Sequence, residues 1–112
     1  MLSILQSRYN YYMKKKNYKL KTKVFLYPGM AAWHFVGLPK KVGQEIKENF
    51  GKNSKGFGSL PVEVTIGRTV WNTSIFPEKT SGSYLLPLKA SVRKKEDIEA
   101  GEEVVLSIKI RI

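Results

Sequence analysis

The 112-residue sequence contains no cysteine. Disulfide bonds and thiolate metal sites are therefore excluded, and a reducing compartment such as the cytoplasm is the expected location. No apolar run approaches the ~18 residues that a membrane-spanning helix needs. The first residues also lack the apolar segment of a secretory signal, because Leu2, Ile4 and Leu5 are followed at once by polar residues. We expect a cytoplasmic protein without membrane contact.

Residues suited to acid–base chemistry are scarce. His34 is the single histidine, and the first acid of the chain is Glu45. Ser74 has no nucleophile-elbow context and no second histidine to serve as its base. The acids of "KKEDIEAGEE" lack the spacing of a calcium loop. The sequence thus predicts a non-enzymatic protein without a metal or other cofactor. Catalysis through His34 would require an acid that the fold brings next to it.

Basic residues are abundant, but they are unevenly distributed. The formal net charge is +11, and residues 1–23 hold seven of the 20 basic residues and no acid. The rest of the chain has 13 basic and nine acidic residues, a balance of +4. Residues 1–17 show no sustained periodicity, so we expect a disordered or mis-called arm there, with residues 1–12, including Tyr11 and Tyr12, the clearest part of it. Residues 18–112 are expected to form one domain.

Alternation of apolar and polar residues predicts a mainly β protein. Its clearest cases are "PVEVTI" and the last strand. Residues expected to face the core are Val62, Val64 and Ile66, and then Val104, Leu106, Ile108, Ile110 and Ile112. In the first strand the predicted inward face is Leu20, Thr22, Val24 and Leu26, and the outward face is Lys19, Lys21 and Lys23. Trp33 is predicted to lie in the core, whereas Trp71 could face either side.

Two short helices interrupt the strands. "LPKKVGQEIKENFG" has Val42, Ile46 and Phe50 on one helical face, Pro39 before its first turn and Gly51 at its end. "KASVRKKE" is the second helical stretch. The runs "VGLPKKVG" and "LLPLKASVR" both lead from a strand into a helix. This echo predicts a pseudo-two-fold small β-barrel of about six to seven strands with two short helices.

The glycine-rich loop "GKNSKGFGS" invites comparison with a phosphate-binding loop. It lacks the Gly-Lys-Ser/Thr ending of that motif, so a flexible connection is the favoured interpretation. Lys52 and Lys55 could still contact an anion without any motif.

The chain resembles the bacterial family called domain of unknown function 1905 over roughly residues 20–112. The residues that carry the resemblance are Trp33, Phe35, Leu38, Pro39, Gly58, Gly67, Trp71, Thr73, Ser74, Phe76, Pro77, Tyr84, Leu86, Pro87, Lys89, Val92, Arg93 and Gly101. Glu102 stands where the family usually has Asp. The resemblance implies a double-split β-barrel similar to AbrB-like transcription factors, and it implies no established activity.

Candidate binding residues follow from these patterns. In "YLLPLKASVRKK" we interpret Lys94 and Lys95 as a solvated face, since Glu96, Asp97 and Glu99 follow them. Arg93 matches the family pattern, so we expect a specific partner for it, either within the protein or outside it. The predicted groove-lining set is Trp71, Thr73, Ser74, Lys89 and Arg93.

The leading interpretation is a binding module whose small-molecule or protein ligand is unknown, acting as a monomer or weak dimer. The alternative is an AbrB-like nucleic-acid-binding protein that uses its basic arm and first strand. Its phosphate contacts would come from Lys14, Lys15, Lys16, Lys19, Lys21 and Lys23.

Overall fold

The computed structural model describes residues 15–29 and 32–112, which form six strands and two helices. Two short 3-10 turns, Gly51–Asn53 and Gly56–Gly58, follow the first helix. In chain order the elements are β1 (Asn17–Leu26), β2 (His34–Gly37), α1 (Lys40–Phe50), β3 (Leu60–Ile66), β4 (Thr69–Glu78), β5 (Ser83–Pro87), α2 (Ala90–Glu96) and β6 (Glu103–Ile110).

All six strands pair antiparallel and close into a barrel in the order β1-β2-β5-β4-β3-β6. This confirms the predicted small, mainly β barrel with two short helices. The further likeness to AbrB-like barrels stays a prediction. Closure leaves no unpaired edge among the described strands. Pro87 is the last residue of β5, and a strand end is one of the two positions, with a sheet edge, that a proline in a strand pattern indicates.

Strict alternation fills the barrel interior. β3 alternates buried and half-buried residues along its whole length, and β6 alternates exposed and buried ones. The apolar side chains of one face therefore all point into the core, as the sequence pattern predicts. Complete burial of a Val or Ile side chain contributes roughly 1.5–3 kcal/mol, so this interior is the main source of stability.

The two halves of the chain repeat one arrangement. Each half runs strand, strand, helix, strand, and exchanging β1 with β4, β2 with β5 and β3 with β6 preserves every neighbour in the barrel. Reciprocal hydrogen bonds of 2.9 Å join the halves where each helix begins. Leu38 N–H donates to Tyr84 O, and Leu88 N–H donates to His34 O. The similar runs "VGLPKKVG" and "LLPLKASVR" therefore occupy equivalent positions in the two halves of the barrel.

Helix α1 packs against β5 at very short range. It buries Ile46 and Phe50, as its 3.6-residue periodicity predicts, together with Gly43. A Cβ atom placed on Gly43 would stand 2.7 Å from Ser83 Cβ. The Ser83 hydroxyl donates a buried 2.9 Å hydrogen bond to Leu38 O. Only glycine therefore fits this contact between helix and strand.

Helix α2 is fixed at its C-terminal end by the β3–β4 turn. Thr69 Oγ1–H donates a 2.6 Å hydrogen bond to Glu96 Oε2. A Cβ on Gly67 would clash with the Glu96 carboxylate. Asp97 then ends the helix in the left-handed region, at φ 54°. The end of α2 thus rests on β4, and its first turn lies near the cavity described below.

Three sequence expectations fail at the strand ends. Leu26 is 51% exposed and Ile112 is 46% exposed, because both lie at or beyond the last residue of their strands. Trp33 precedes β2 and is 54% exposed, so its predicted place in the core is wrong. β1 begins at Asn17. The predictions for Tyr11, Tyr12 and residues 1–14 fall outside the described residues.

Candidate functional site

A cavity of about 360 Å³ opens between the start of β2, the middle of β4 and the connection from β5 to α2. We call it the Trp71–Arg93 cavity. Its size falls in the range of small-molecule sites, which typically measure ~300–1,000 Å³. It is lined by Ala32, Trp33, His34, Trp71, Asn72, Thr73, Pro87, Leu88, Lys89, Ala90 and Arg93.

Four of the five predicted groove residues line this cavity, and Ser74 does not. The cavity takes in Trp71, Asn72 and Thr73 of β4, and Ser74 lies one residue beyond this run. Ser74 lies opposite Pro61 in the β3–β4 register. Whether the four residues bind a ligand stays a prediction, but the fold does bring them together.

The two tryptophans form different walls of the cavity. Trp71 is only 8% exposed and packs into the barrel core. Trp33 lies outside the barrel and packs on Phe35. The two rings stack at 5.9 Å between centroids with 26° between planes. Tyr27 packs edge-on against the same Phe35 ring at 5.4 Å. Trp33 is therefore an exposed but supported aromatic surface, not a core residue.

Arg93 is anchored at the base of α2. Its Nε–H donates a 3.1 Å hydrogen bond to Leu88 O, at the point where β5 has ended and the chain turns into the helix. The guanidinium has four further N–H donors on its two terminal nitrogens. Among the described residues these four have no partner. They can form a forked pair of bonds with a carboxylate or phosphate.

Charge in the cavity has one sign. Lys89 is exposed immediately before α2, and it lines the cavity together with Arg93. No acid is found among the described lining residues. The Glu96 carboxylate accepts a hydrogen bond from Thr69, and the Glu102 carboxylate accepts a 2.7 Å bond from Glu99 N–H. Both carboxylates are therefore bonded to groups other than the Arg93 guanidinium, and neither neutralises its charge by direct contact.

The structure gives His34 a main-chain partner. Its Nδ1 lies 2.8 Å from Ala32 O, so this nitrogen must carry the proton that it donates to the carbonyl. Nε2 remains as the ring nitrogen without a partner among the described residues. Catalysis through His34 requires an acid beside it, and no acidic side chain of the described residues forms a hydrogen bond or ion pair with His34. Nor does any cluster of three or more potential metal ligands occur in the described ranges.

The lysines of the nucleic-acid alternative occupy two settings. Lys19, Lys21 and Lys23 are exposed on the outer face of β1, as predicted. Lys15 Nζ lies 4.9 Å from the centroid of the Tyr18 ring, and Lys16 Nζ–H donates a 3.1 Å bond to Ile112 O. Lys14 lies outside the described residues. The three strand lysines are thus exposed to a partner, with Lys23 opposite Glu103 of β6 in the register, whereas Lys15 and Lys16 have contacts within the protein.

A second cavity lies beside the glycine-rich loop and measures about 330 Å³. We call it the Lys55–Arg111 cavity. It is lined by Lys52, Asn53, Ser54, Lys55, Pro61, Arg111 and Ile112. The main-chain N–H of Arg111 donates to Pro61 O at 2.9 Å, which brings the end of β6 next to β3 and the loop. Sequence reasoning indicated Lys52 and Lys55 here but missed Arg111.

Comparison with known proteins gives a family without an assigned activity. The family model described as "Domain of unknown function (DUF1905)" matches residues 21–108, which run from the middle of β1 to near the end of β6. No curated protein matches the chain. Within the described ranges, no helix has the length and apolarity to cross a membrane.

Proposed function

The chain belongs to the DUF1905 family, a domain of unknown function, and we propose that it is a non-enzymatic binding protein that holds a small organic anion in the Trp71–Arg93 cavity. The cytoplasmic location that the lack of cysteine favours is part of this proposal. One observation carries it: two cationic side chains and two tryptophans converge on one cavity whose described lining contains no acid.

The shape of the lining supports a ligand with a flat apolar body. Trp33 presents an exposed aromatic surface, and Trp71 lines the cavity with the small part of its side chain that the core leaves accessible. Aromatic side chains are typical of the lining of small-molecule sites. Pro87 and Leu88 add apolar surface at the end of β5. An aromatic or alicyclic ring system would replace water against these four side chains.

The polar groups support a charged head. Arg93 is preorganised by its bond to Leu88 O, so little conformational entropy is lost when its terminal nitrogens bind a carboxylate or phosphate. Lys89 supplies a second positive charge on a flexible stem. Thr73 and Asn72 can form hydrogen bonds to other polar groups of the ligand.

Tryptophan fluorescence is a selective probe for this proposal. Trp33 and Trp71 are the only tryptophans of the chain, and both line the cavity. We would titrate the protein with a set of aromatic carboxylates and phosphates, each paired with its neutral amide or ester. We expect saturable fluorescence changes with the anions and clearly weaker binding of the neutral amides and esters.

Two variants control the result. Arg93→Met should weaken anion binding, whereas Lys94→Met removes an exposed charge from the next residue and should leave it unchanged. Equal affinity for anions and their neutral partners would remove the anionic head from the proposal. No saturable change with any ligand would contradict the proposal itself.

We also propose, as a second function, that the chain binds nucleic acid through the outer face of β1. The supporting observation is that Lys19, Lys21 and Lys23 are exposed on one face of a strand that has no acid. Phosphate contacts by lysines release counterions, so this binding should weaken steeply as salt is raised.

A further inference from the structure

Phe57 is displayed to solvent in an unusual way. Its side chain is 97% exposed, and its backbone lies in the left-handed region at φ 60°, between Gly56 and Gly58. That conformation disfavours a residue with a Cβ atom by about 1–2 kcal/mol. The exposed ring adds nothing to the core in return. The combination of backbone strain and full exposure points to a surface role for the ring.

The turn that carries Phe57 is fixed on both sides. Lys55 N–H donates to Ser59 O at 2.7 Å, and Gly58 N–H donates to Lys55 O at 2.9 Å. A Cβ on Gly58 would stand 2.9 Å from Pro77 Cγ, so the turn packs directly on β4. The ring of Phe57 is therefore presented by a braced turn.

Basic residues lie close to Phe57 along the chain. Lys55, two residues before Phe57, lines the Lys55–Arg111 cavity together with Lys52 and Arg111. No acidic side chain occurs among the described residues of that lining. The main-chain oxygen of Ile112, which also lines the cavity, accepts a hydrogen bond from Lys16. The cavity thus keeps a net positive charge.

The basic surface continues along the barrel. Lys109 lies on the outward face of β6, two residues before Arg111, and is paired in register with Asn17 at the start of β1. From there Lys19 and Lys21 follow along β1. The acids Glu63 and Glu103 of this face lie opposite Lys109 and Lys23, respectively, so each is offset by a basic neighbour.

We propose that Phe57, Lys52, Lys55 and Arg111 form a binding surface for single-stranded nucleic acid. A base stacks on the Phe57 ring, and the neighbouring phosphates contact the three cations. The ring requires an unpaired base, because the faces of paired bases are covered by their neighbours in a duplex. The surface is separate from the Trp71–Arg93 cavity and shares with the β1 proposal only the class of partner.

The test is fluorescence anisotropy of the full chain with labelled single-stranded DNA and RNA of about 12 nucleotides, with a duplex of the same sequence beside them. The single strands should bind more tightly than the duplex. Phe57→Ala should weaken single-strand binding roughly 5- to 100-fold, and Phe57→Trp should retain it. Lys52→Ala with Lys55→Ala should lower the slope of log affinity against log salt by about 0.7 for each lost phosphate contact.

Matched controls separate this surface from the others. Val70→Ala truncates an exposed apolar side chain near the opposite end of β4 from Pro77, on which the Phe57 turn packs, and Lys94→Ala with Lys95→Ala removes two exposed charges from α2. Neither control should change the affinity. Because Phe57 is almost fully exposed, its replacement should leave the melting temperature unchanged, so lost binding cannot come from unfolding.

Two results would overturn the proposal in different ways. Binding that survives Phe57→Ala and the paired lysine variant, but is lost when Lys19, Lys21 and Lys23 are neutralised, would assign nucleic acid to β1 alone. Binding that requires only Lys14 to Lys16 would assign it to the N-terminal arm. No binding of any single strand by the wild-type chain would overturn this surface, and no binding of the duplex either would overturn the β1 proposal as well.

Discussion

The Nε–H group of Arg93 donates a 3.1 Å hydrogen bond to the carbonyl oxygen of Leu88. This bond joins the first turns of α2 to the end of β5 and holds the guanidinium beside Trp71 and Lys89 in the cavity lining. A long cationic side chain ordinarily loses much rotamer freedom on binding. Here part of that loss has already occurred on folding.

The first prediction concerns the chemistry of Arg93. Arg93→Met should raise the Kd of an anionic ligand by roughly 10- to 100-fold, since a hydrogen bond to a charged group contributes about 1.5–3 kcal/mol. Arg93→Lys keeps the charge but loses both the anchor on Leu88 O and the forked geometry. Its Kd should therefore lie between those of the wild-type protein and Arg93→Met. Tryptophan fluorescence titration measures the Kd, and thermal unfolding checks that each variant folds. Full recovery of wild-type affinity in Arg93→Lys would show that only charge matters.

The sign of the stability change in Gly43→Ala tests the close packing of α1 on β5. In an unobstructed helix interior, Gly→Ala stabilises by about 1 kcal/mol. Here the new methyl group would collide with Ser83, so Gly43→Ala should instead destabilise by about 1–3 kcal/mol. Urea unfolding measures the difference. Gly56→Ala is the control, because nothing lies within 4 Å of its Cβ position, and Ser83→Gly should restore part of the loss in Gly43→Ala. A stabilised Gly43→Ala protein would contradict the close packing of α1 on β5.

The C-terminus of α2 predicts a stabilising change. Asp97 occupies the left-handed region at φ 54°, where glycine is preferred. Asp97→Gly should stabilise the protein by about 0.5–1 kcal/mol in urea unfolding. Asp97→Ala removes the same charge but keeps a Cβ atom, so it should not stabilise. If both variants stabilise equally, the effect comes from charge and not from the backbone.

Two buried tyrosines predict behaviour at high pH. Burial raises the pKa of Tyr18 above its usual value near 10, and the negative charge of Glu45 raises it further. Burial alone raises the pKa of Tyr84. Since the folded-state pKa exceeds the unfolded one, the associated stability is complete below the unfolded pKa, about 10. It is lost as pH rises through the folded-state pKa.

Ultraviolet absorbance of tyrosinate measures this titration. Tyr18→Phe and Tyr84→Phe should each remove a late step, and Glu45→Gln should move the Tyr18 step to lower pH while leaving Tyr84 in place. A titration in which all tyrosines ionise in one step below the pH of unfolding would contradict the burial of both phenols.

The sequence allowed the barrel to be predicted where local periodicity decides the structure. β3 and β6 alternate so regularly that their inward faces could be read residue by residue, and the repeated strand-to-helix run indicated the two-fold arrangement. These features depend on neighbours in the chain. The pairing of β2 with β5 is different, because Val36 and Leu86 are distant in sequence and no local pattern specifies their register.

The candidate site was predictable only in part for the same reason. The cavity includes Trp71, Asn72 and Thr73 of β4 but stops before Ser74, and this limit depends on the distant residues of β2 and of the β5–α2 connection that complete the lining. Trp33 was misplaced because β2 begins one residue later, which puts its ring outside the barrel on Phe35. His34 joins the site only because β2 pairs with β5.

Ligand binding in the Trp71–Arg93 cavity is tested most directly by an NMR titration of the ¹⁵N-labelled protein, whose mass of 12.8 kDa suits the method. The spectrum is followed as an aromatic carboxylate that changes the tryptophan fluorescence is added. If the ligand binds in the Trp71–Arg93 cavity, both indole N–H signals and the Arg93 Nε–H signal shift together and saturate at one Kd, while signals of Lys94 and Phe57 stay in place. Shifts confined to Lys52, Lys55 and Arg111, or no saturable shift of either indole, would contradict the assignment of ligand binding to the Trp71–Arg93 cavity.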